Sequence, residues 1–268
     1  MTTTRAILLA AGRGSRLVDD GPLPKPLIPV GGEPLLSRIL RTLGSEGVKE
    51  AAVVTGYKGH LIEEAVHSWK HLGHMDVHFI RNEDWRKSNG VSVLKAKDFV
   101  NDHTFLSMSD HLFSPGLVRA LQNRPLSGDS SLLGVDRKID RVFDLDDATK
   151  VLCNGVGILN IGKQIPSYDA IDTGLFKVSP SLIDSLYQVY SEKGDCSLSD
   201  GVEDLSQRGL MEYCDVGDAF WVDVDTPEAH RYAEIMLRLL GDRLEGRTIV
   251  PMYAAPHQFV PESATAMN

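Results

Sequence analysis

Long apolar runs are missing from this chain of 268 residues. No stretch reaches the roughly 18 consecutive apolar residues that a membrane-crossing helix needs, so no span is expected. A basic surplus is missing too. The 28 Lys and Arg stand against 37 Asp and Glu, a formal charge of −9, which argues against a general nucleic-acid binder. Cysteine is scarce: Cys153, Cys196 and Cys214 are widely spaced and form no C-x-x-C, so free, mostly structural thiols in a reducing cytoplasm are expected. Met1-Thr2-Thr3-Thr4-Arg5 leads straight into an apolar strand and carries no signal-peptide core. No internal repeat or low-complexity block stands out. These absences leave a soluble intracellular protein of one large, or one and a half, α/β domains.

Two familiar phosphate-binding signatures are incomplete as well. The third glycine of G-x-G-x-x-G is replaced by Leu17, and no G-K-[ST] closes the turn. What is present is an apolar strand running into Leu9-Ala10-Ala11-Gly12-Arg13-Gly14-Ser15-Arg16, followed by Pro24-Lys25-Pro26-Leu27. Glycines let backbone N–H groups approach phosphate oxygens, and fixed cations follow charge that develops during phosphoryl or nucleotidyl transfer. An ordinary βα turn with surface arginines is the competing reading of the bare G-x-G. It leaves unexplained why Lys25 stands between two prolines, which stiffen the segment. A phosphate site accounts for both.

Residues 6–10, 51–55, 77–80 and 103–108 read as strands, and 35–43, 59–70, 91–99 and 115–121 as helices. This alternation predicts a doubly wound, mostly parallel, Rossmann-like α/β sheet, with ligands outside the carboxyl ends of its strands. From about residue 130, strand-like segments at 131–135, 149–153, 157–160 and 171–178 suggest a small antiparallel extension closing over one side of the site. Helices follow at 182–190 and 199–207, then a strand at 219–224. Thr226 as N-cap with Pro227 behind it starts a last helix reaching about Leu240. The main domain is thus expected to span 1–240, with an extended arm or tail over 241–268 that could reach a neighbouring subunit in a homodimer.

Nucleotidyl transfer between anions calls for Mg²⁺, a hard ion that prefers carboxylate oxygens. Asp110 ends an apolar strand at the ligand edge. Asp223 and Asp225 stand two apart in Trp221-Val222-Asp223-Val224-Asp225-Thr226, so both carboxylates of a strand would point to one face. Helix capping by Asp225 and a solvent-facing Asp223 is the alternative. His67, His71, His74 and His78 are expected at a solvated helix end, and Trp69 and Trp85 as packing residues. His111 either orients Asp110, touches an acceptor, or is a simple edge-loop residue.

The glycine loop together with Pro24-Lys25-Pro26-Leu27 resembles the signature of nucleoside-triphosphate transferases. Ser88-Asn89-Gly90, Met108-Ser109-Asp110-His111, Asp147-Ala148-Thr149-Lys150, Asp172-Thr173-Gly174 and the Trp221–Thr226 segment extend that likeness, in order, over roughly residues 5–238. Within the class the chain is most similar to CTP:inositol-1-phosphate cytidylyltransferases. The resemblance implies that Leu9 to Arg16 and Lys25 grip the triphosphate of CTP, with Arg16 and Lys25 catalytic. It implies that Asn89 and Gly90 contact base or ribose, that Asp110 and Asp225 hold Mg²⁺ with Asp223 a direct or indirect ligand, and that Lys150, Asp172, Thr173 and Gly174 lie beside the acceptor phosphate. Two small departures are Ser109, where the class often has Gly, and Ser15, where Thr is commoner. A membrane phosphotransferase domain is often fused to such enzymes and none follows in this sequence, so phosphonates and other alcohol phosphates stay open as acceptors. A catalytically silent nucleotide sensor on the same fold would be expected to have lost the metal carboxylates, and all three are present.

Overall fold

Ala6, Ile7, Leu8 and Ala10 are at most 1% exposed, because β1 (Arg5–Ala10) is covered on both faces. A strand that reads as a continuous apolar run is what such double cover demands. The structure is a computed structural model that describes residues 3–17, 21–126 and 128–245. After β1 come a short ribbon of β2 (Pro29–Val30) and β3 (Glu33–Pro34), α1 (Leu35–Ser45), β4 (Glu50–Thr55), α2 (Gly59–Ser68), β5 (Asp76–Arg81) and α3 (Asn89–Lys95). Next follow β6 (Thr104–Met108), β7 (His111–Phe113), α4 (Pro115–Asn123), β8 (Ser131–Asp136), β9 (Lys150–Asn154), β10 (Gly157–Gly162) and β11 (Ala170–Val178). The remainder is α5 (Pro180–Lys193), α6 (Leu198–Gln207), β12 (Met211–Asp215), β13 (Trp221–Asp223) and α7 (Pro227–Leu240).

Nine strands form one sheet in the order β5-β4-β1-β6-β11-β8-β12-β10-β9. The stretch from β5 to β6 is parallel throughout, β11 runs against both of its neighbours, and β12 is again parallel to β8. Alternate residues of β1 feed two cores. Ala6, Leu8 and Ala10 pack under α1, α2, α4 and α7, whereas Ile7 and Leu9 pack under α3, α5 and α6. Helices on both faces of a sheet define an α/β, Rossmann-like architecture.

Two expectations need correction. Of the segments after residue 130, β11 and β8 lie inside the sheet rather than in an added layer, whereas the antiparallel β10–β9 hairpin extends it and β9 also pairs with the start of β11. Leu132, Leu133, Phe176 and Val178 are at most 1% exposed, so these strands have the same double cover as β1. In addition, the strand near 219–224 shrinks to β13, which pairs with β7 outside the main sheet, and β12 takes the sheet position. The half-polar Met211-Glu212-Tyr213-Cys214-Asp215 gives little local signal of that. Of the tail, Asp242 pairs with Arg38 at 2.7 Å and Leu244 is 4% exposed against the α7 side of the core. Residues 246–268 lie outside the described residues.

Candidate active site

Beyond β1 the chain enters the glycine loop. Gly14 has φ +65°, and a Cβ there would stand 2.6 Å from Cβ of Lys25. Loop and lysine can approach this closely only because residue 14 has no side chain. Lys25 opens a single 3₁₀ turn, Lys25–Leu27, and is 4% exposed. Beyond β6 the buried Ser109 hydroxyl donates to the Leu9 carbonyl at 2.7 Å, tying two strand ends together one residue before Asp110. β7 and β13 then pair with His111 opposite Asp223, and the Val224 N–H donates to the Asp110 carbonyl at 2.9 Å. This small ribbon brings carboxylates distant in sequence to one place.

They meet around Lys25. Its Nζ lies 2.8 Å from Asp110 Oδ2 and 3.8 Å from Asp223 Oδ1, and it pairs closely with Asp225. Arg16 pairs with both Asp225 and Asp147, and Lys163 Nζ donates to Asp147 Oδ1 at 2.7 Å. On the far side, His111 Nδ1 lies 2.8 Å from Asp110 Oδ1. The outcome is a line of alternating charge running Lys163, Asp147, Arg16, Asp225, Lys25, Asp110, His111. Alternation is required, since two carboxylates about 4.8 Å apart repel by roughly 3.5 kcal/mol at an effective dielectric near 20.

Burial alone would keep the His111 ring neutral. The carboxylates of Asp223, Asp110 and Asp172 outweigh it and push its pKa up to about 9. Burial pushes Asp223 up to about 6, with Asp110 adding to the rise against His111 and Arg16. Asp172 is likewise pushed up to about 6 by burial, against the Gly174 N–H and the charge on His111. His111 also stacks on Trp221, with ring planes 8° apart, and its ring lies so close to Gly174 that a Cβ there would come within 2.4 Å.

Two overlapping groups bring one donor atom each to within 4.8 Å of one another: Asp110, His111 and Asp223, and Asp147, Asp223 and Asp225. Asp223 Oδ1 is buried with no hydrogen-bond partner among the described residues. An orphaned carboxylate oxygen inside a carboxylate-rich donor set fits a hard divalent cation such as Mg²⁺.

Beside the carboxylates opens a cleft lined by Leu9, Ala11, Gly12, Gly14 and Lys25, together with Trp85, Lys87, Asn89, Met108 and Asp110. Ala10 is buried in the sheet, and Arg13, Ser15 and Arg16 are exposed along the loop. Asn89 opens α3, and its Oδ1 accepts from the Leu198 N–H at 2.8 Å, bracing α3 against α6. Gly90 is a contact point between those elements, where a Cβ would stand 2.6 Å from the Cys196 carbonyl oxygen. The start of β11 arrives at the same edge because that strand runs opposite to β6. Gly174, at φ +73°, sits in the bulge of β11, and its N–H donates to Asp172 Oδ1 at 2.7 Å. Thr173 is fully buried and donates to the Gly134 carbonyl at 2.8 Å. Lys150, 8% exposed, starts β9 beside Ile171 and donates to the Asp146 carbonyl at 2.8 Å.

Three contributors escaped the sequence reading. Trp85, expected only to pack, lines the cleft, meets the Tyr57 ring at 5.3 Å between centroids with the planes tilted by 55°, and carries the Arg86 guanidinium 4.3 Å from its ring centroid. Lys87 lines it too. Asp147 was visible only as part of the Asp-Ala-Thr-Lys segment. The four histidines do not share an element: His67 ends α2, His71 lies in a 3₁₀ turn, His74 packs against Gly44 and His78 is in β5.

A glycine loop, a buried lysine and converging carboxylates at the carboxyl edge of a Rossmann-like sheet define a nucleotidyltransferase. Residues 6–140 match the MobA-like NTP transferase domain, and the chain belongs to that family. It is 36% identical, over 87% of its length and 51% of the relative's, to the bifunctional IPC transferase and DIPP synthase of Rubrobacter xylanophilus. The chain therefore spans about half of that relative. A second relative, the CMP-5'-(3-aminopropyl)phosphonate synthase of Streptomyces rubellomurinus, is 29% identical over 86% of this chain and 38% of its own. Among solved structures, the inositol-1-phosphate CTP transferase from T. maritima superimposes with a TM-score of 0.78 at 27% identity, covering 90% of this chain and 98% of that one. No helix among the described residues is long and apolar enough to cross a membrane.

Proposed function

We propose that this chain transfers CMP from CTP to inositol 1-phosphate, giving CDP-inositol and pyrophosphate. The observation that carries the reading is the cluster of Asp110, Asp223 and Asp225 around Lys25 at the edge of the glycine-loop cleft. The whole-length agreement with the T. maritima inositol-1-phosphate CTP transferase supports the choice of nucleotide and acceptor. An oxygen of the acceptor phosphate attacks the α-phosphorus of CTP in line, the bond to the β-phosphate oxygen breaks, and pyrophosphate leaves. No general base is needed, because the acceptor phosphate is ionised at neutral pH.

Catalysis then consists of positioning and charge neutralisation. Backbone N–H groups of residues 11–15 and the side chains of Arg16 and Lys25 bind the triphosphate. Trp85, Lys87 and Asn89 form the wall for base and ribose, and Gly90 holds that wall in place through its packing. Lys150, with the Asp172–Gly174 turn and His111, faces the acceptor. Asp110, Asp223 and Asp225 would hold Mg²⁺, which supplies neutralising charge to phosphate oxygens. A cytoplasmic location and a homodimer complete the reading.

A second acceptor class has a specific observation in its favour, the likeness to the phosphonate synthase. Pyrophosphate release from CTP, UTP, ATP and GTP, each against inositol 1-phosphate, 3-aminopropylphosphonate and glucose 1-phosphate, separates the possibilities. CTP with inositol 1-phosphate is expected to give the highest kcat/KM. A higher value with the phosphonate would move the assignment to that class, and CTP binding with no turnover on any acceptor would indicate a nucleotide sensor.

A further inference from the structure

Asp147 is the one carboxylate of the charge line that the reaction itself leaves without a task. It lies between β8 and β9, on the acceptor side of the site, and it reaches across to the glycine loop to pair with Arg16. Its other oxygen is fixed by Lys163, at 2.7 Å, just beyond β10. Arg16 needs such a partner. Its side chain is 52% exposed, so packing alone restricts it little. A long side chain in that setting loses conformational freedom whenever it engages a ligand. Two carboxylates, Asp147 and Asp225, together determine where its guanidinium stands.

We infer that Asp147 is a positioning residue for Arg16, holding the guanidinium over the carboxylate cluster so that it meets a nucleoside triphosphate already oriented. The inference rests on the nucleotidyl-transfer reading of the site. It also links the two halves of that site, because the anchor of Arg16 belongs to the β8–β10 side while Arg16 belongs to the nucleotide side. Lys163 acts one step further out, by fixing the anchor.

The sign of one effect separates positioning from simple electrostatics. Asp147 is an anion beside an anion-binding site, so field effects alone predict that Asp147→Asn tightens triphosphate binding. Positioning predicts the opposite. The test is calorimetric binding of CTP with excess MgCl₂ to the full chain carrying Asp147→Asn, Asp147→Glu, Arg16→Lys and the Arg16→Lys/Asp147→Asn pair, alongside turnover. A lysine keeps the charge of Arg16 but lacks the fork that two carboxylates can hold at once. Asp147→Asn is expected to weaken binding by about three- to tenfold, with a drop in kcat at least as large. Asp147→Glu is expected to recover most of both, and in the Arg16→Lys background Asp147→Asn should cost nothing further.

Unchanged or tighter binding by Asp147→Asn overturns the inference. So does a loss that persists undiminished in the Arg16→Lys background, which would make Asp147 a metal ligand or a direct substrate contact. Should the wild-type chain bind CTP no better than the other three triphosphates, the cytidylyl reading fails instead. The same cycle, run on the tightest of the four, still decides the role of Asp147.

Discussion

Lys25 serves three carboxylates with a single ammonium group, and its burial at 4% exposure leaves solvent little chance to take its place. Removing that charge exposes Asp110, Asp223 and Asp225 to one another and, in the proposed mechanism, takes away a cation that would neutralise the leaving pyrophosphate. Lys25→Ala is therefore expected to lower kcat by about two orders of magnitude or more, and Asp110→Asn to abolish magnesium-dependent turnover. Steady-state pyrophosphate release from the purified variants checks both, and near wild-type rates would remove these residues from the mechanism. Gly174 gives a prediction of another kind. Its φ of +73° and the His111 ring 2.4 Å from where a Cβ would stand make Gly174→Ala both strained and overpacked. A loss of about 2 kcal/mol or more is expected in urea unfolding, together with weaker acceptor binding as His111 is displaced. At this scale the sequence was most informative where chemistry demands particular residue types. Gly12, Gly14, Lys25 and the three aspartates, which the fold brings together at the cleft, could be picked out because their residue types in that order are the ones phosphate and metal binding would call for. Trp85 and Asp147 could not, since a tryptophan that packs and one that lines a cleft look alike, and an aspartate's partner 131 residues away leaves no local trace.

Among the elements, the β7–β13 ribbon matters more for the site than its three residues per strand suggest, because it aligns Asp110 and His111 with Asp223. Its far strand is followed at once by α7, whose N-cap Thr226 accepts from the Ala229 N–H at 3.1 Å, with Pro227 in the first turn. Asp225 thus stands between a strand end and a helix start, held from both sides. Thr226→Ala should cost about 1 kcal/mol of stability, and Thr226→Ser should cost far less. A fall in kcat in the alanine variant, beyond what unfolding explains at the assay temperature, would confirm that the cap also sets Asp225. Equal kcat in both variants would limit Thr226 to helix stability. This helix start was readable from Thr-Pro-Glu alone because capping chemistry is local. The pairing of β7 with β13, and the insertion of β12 and β11 into the sheet, depend on contacts between segments far apart in sequence. Periodicity over a short window carries no register of that kind.

The whole molecule is closed by an ion cluster away from the active site. Arg38, 5% exposed in α1, donates to the Val30 and Gly31 carbonyls and pairs with Asp242 at 2.7 Å, while Arg41 pairs with Glu33 at 2.9 Å and with Asp242 at 3.0 Å. The beginning of the chain and the residues after α7 are joined through these contacts. Burial would raise the Glu33 carboxyl, but Arg41, Ser37 and Arg38 hold it below its ordinary 4.5, and the Arg38 and Arg41 guanidinium groups hold Asp242 below 3.8. Folded values depressed in this way mean that the stabilisation is fully present above the unfolded values and is lost as pH falls through the folded ones. Tm is expected to drop on acidification below about pH 4, and the drop should be shallower in Arg41→Met. A profile identical to wild type in that variant would mean that other carboxylates govern acid unfolding.

The assembled cleft and carboxylate cluster are proposed to carry out cytidylyl transfer to inositol 1-phosphate. Phosphorus NMR of the full chain incubated with CTP, inositol 1-phosphate and MgCl₂ follows substrate and both products in one sample. The expected result is loss of the three CTP resonances with equimolar gain of pyrophosphate and of two coupled phosphoanhydride signals from CDP-inositol. Persistence of CTP and inositol 1-phosphate unchanged, under conditions where the folded chain binds the nucleotide, would contradict it.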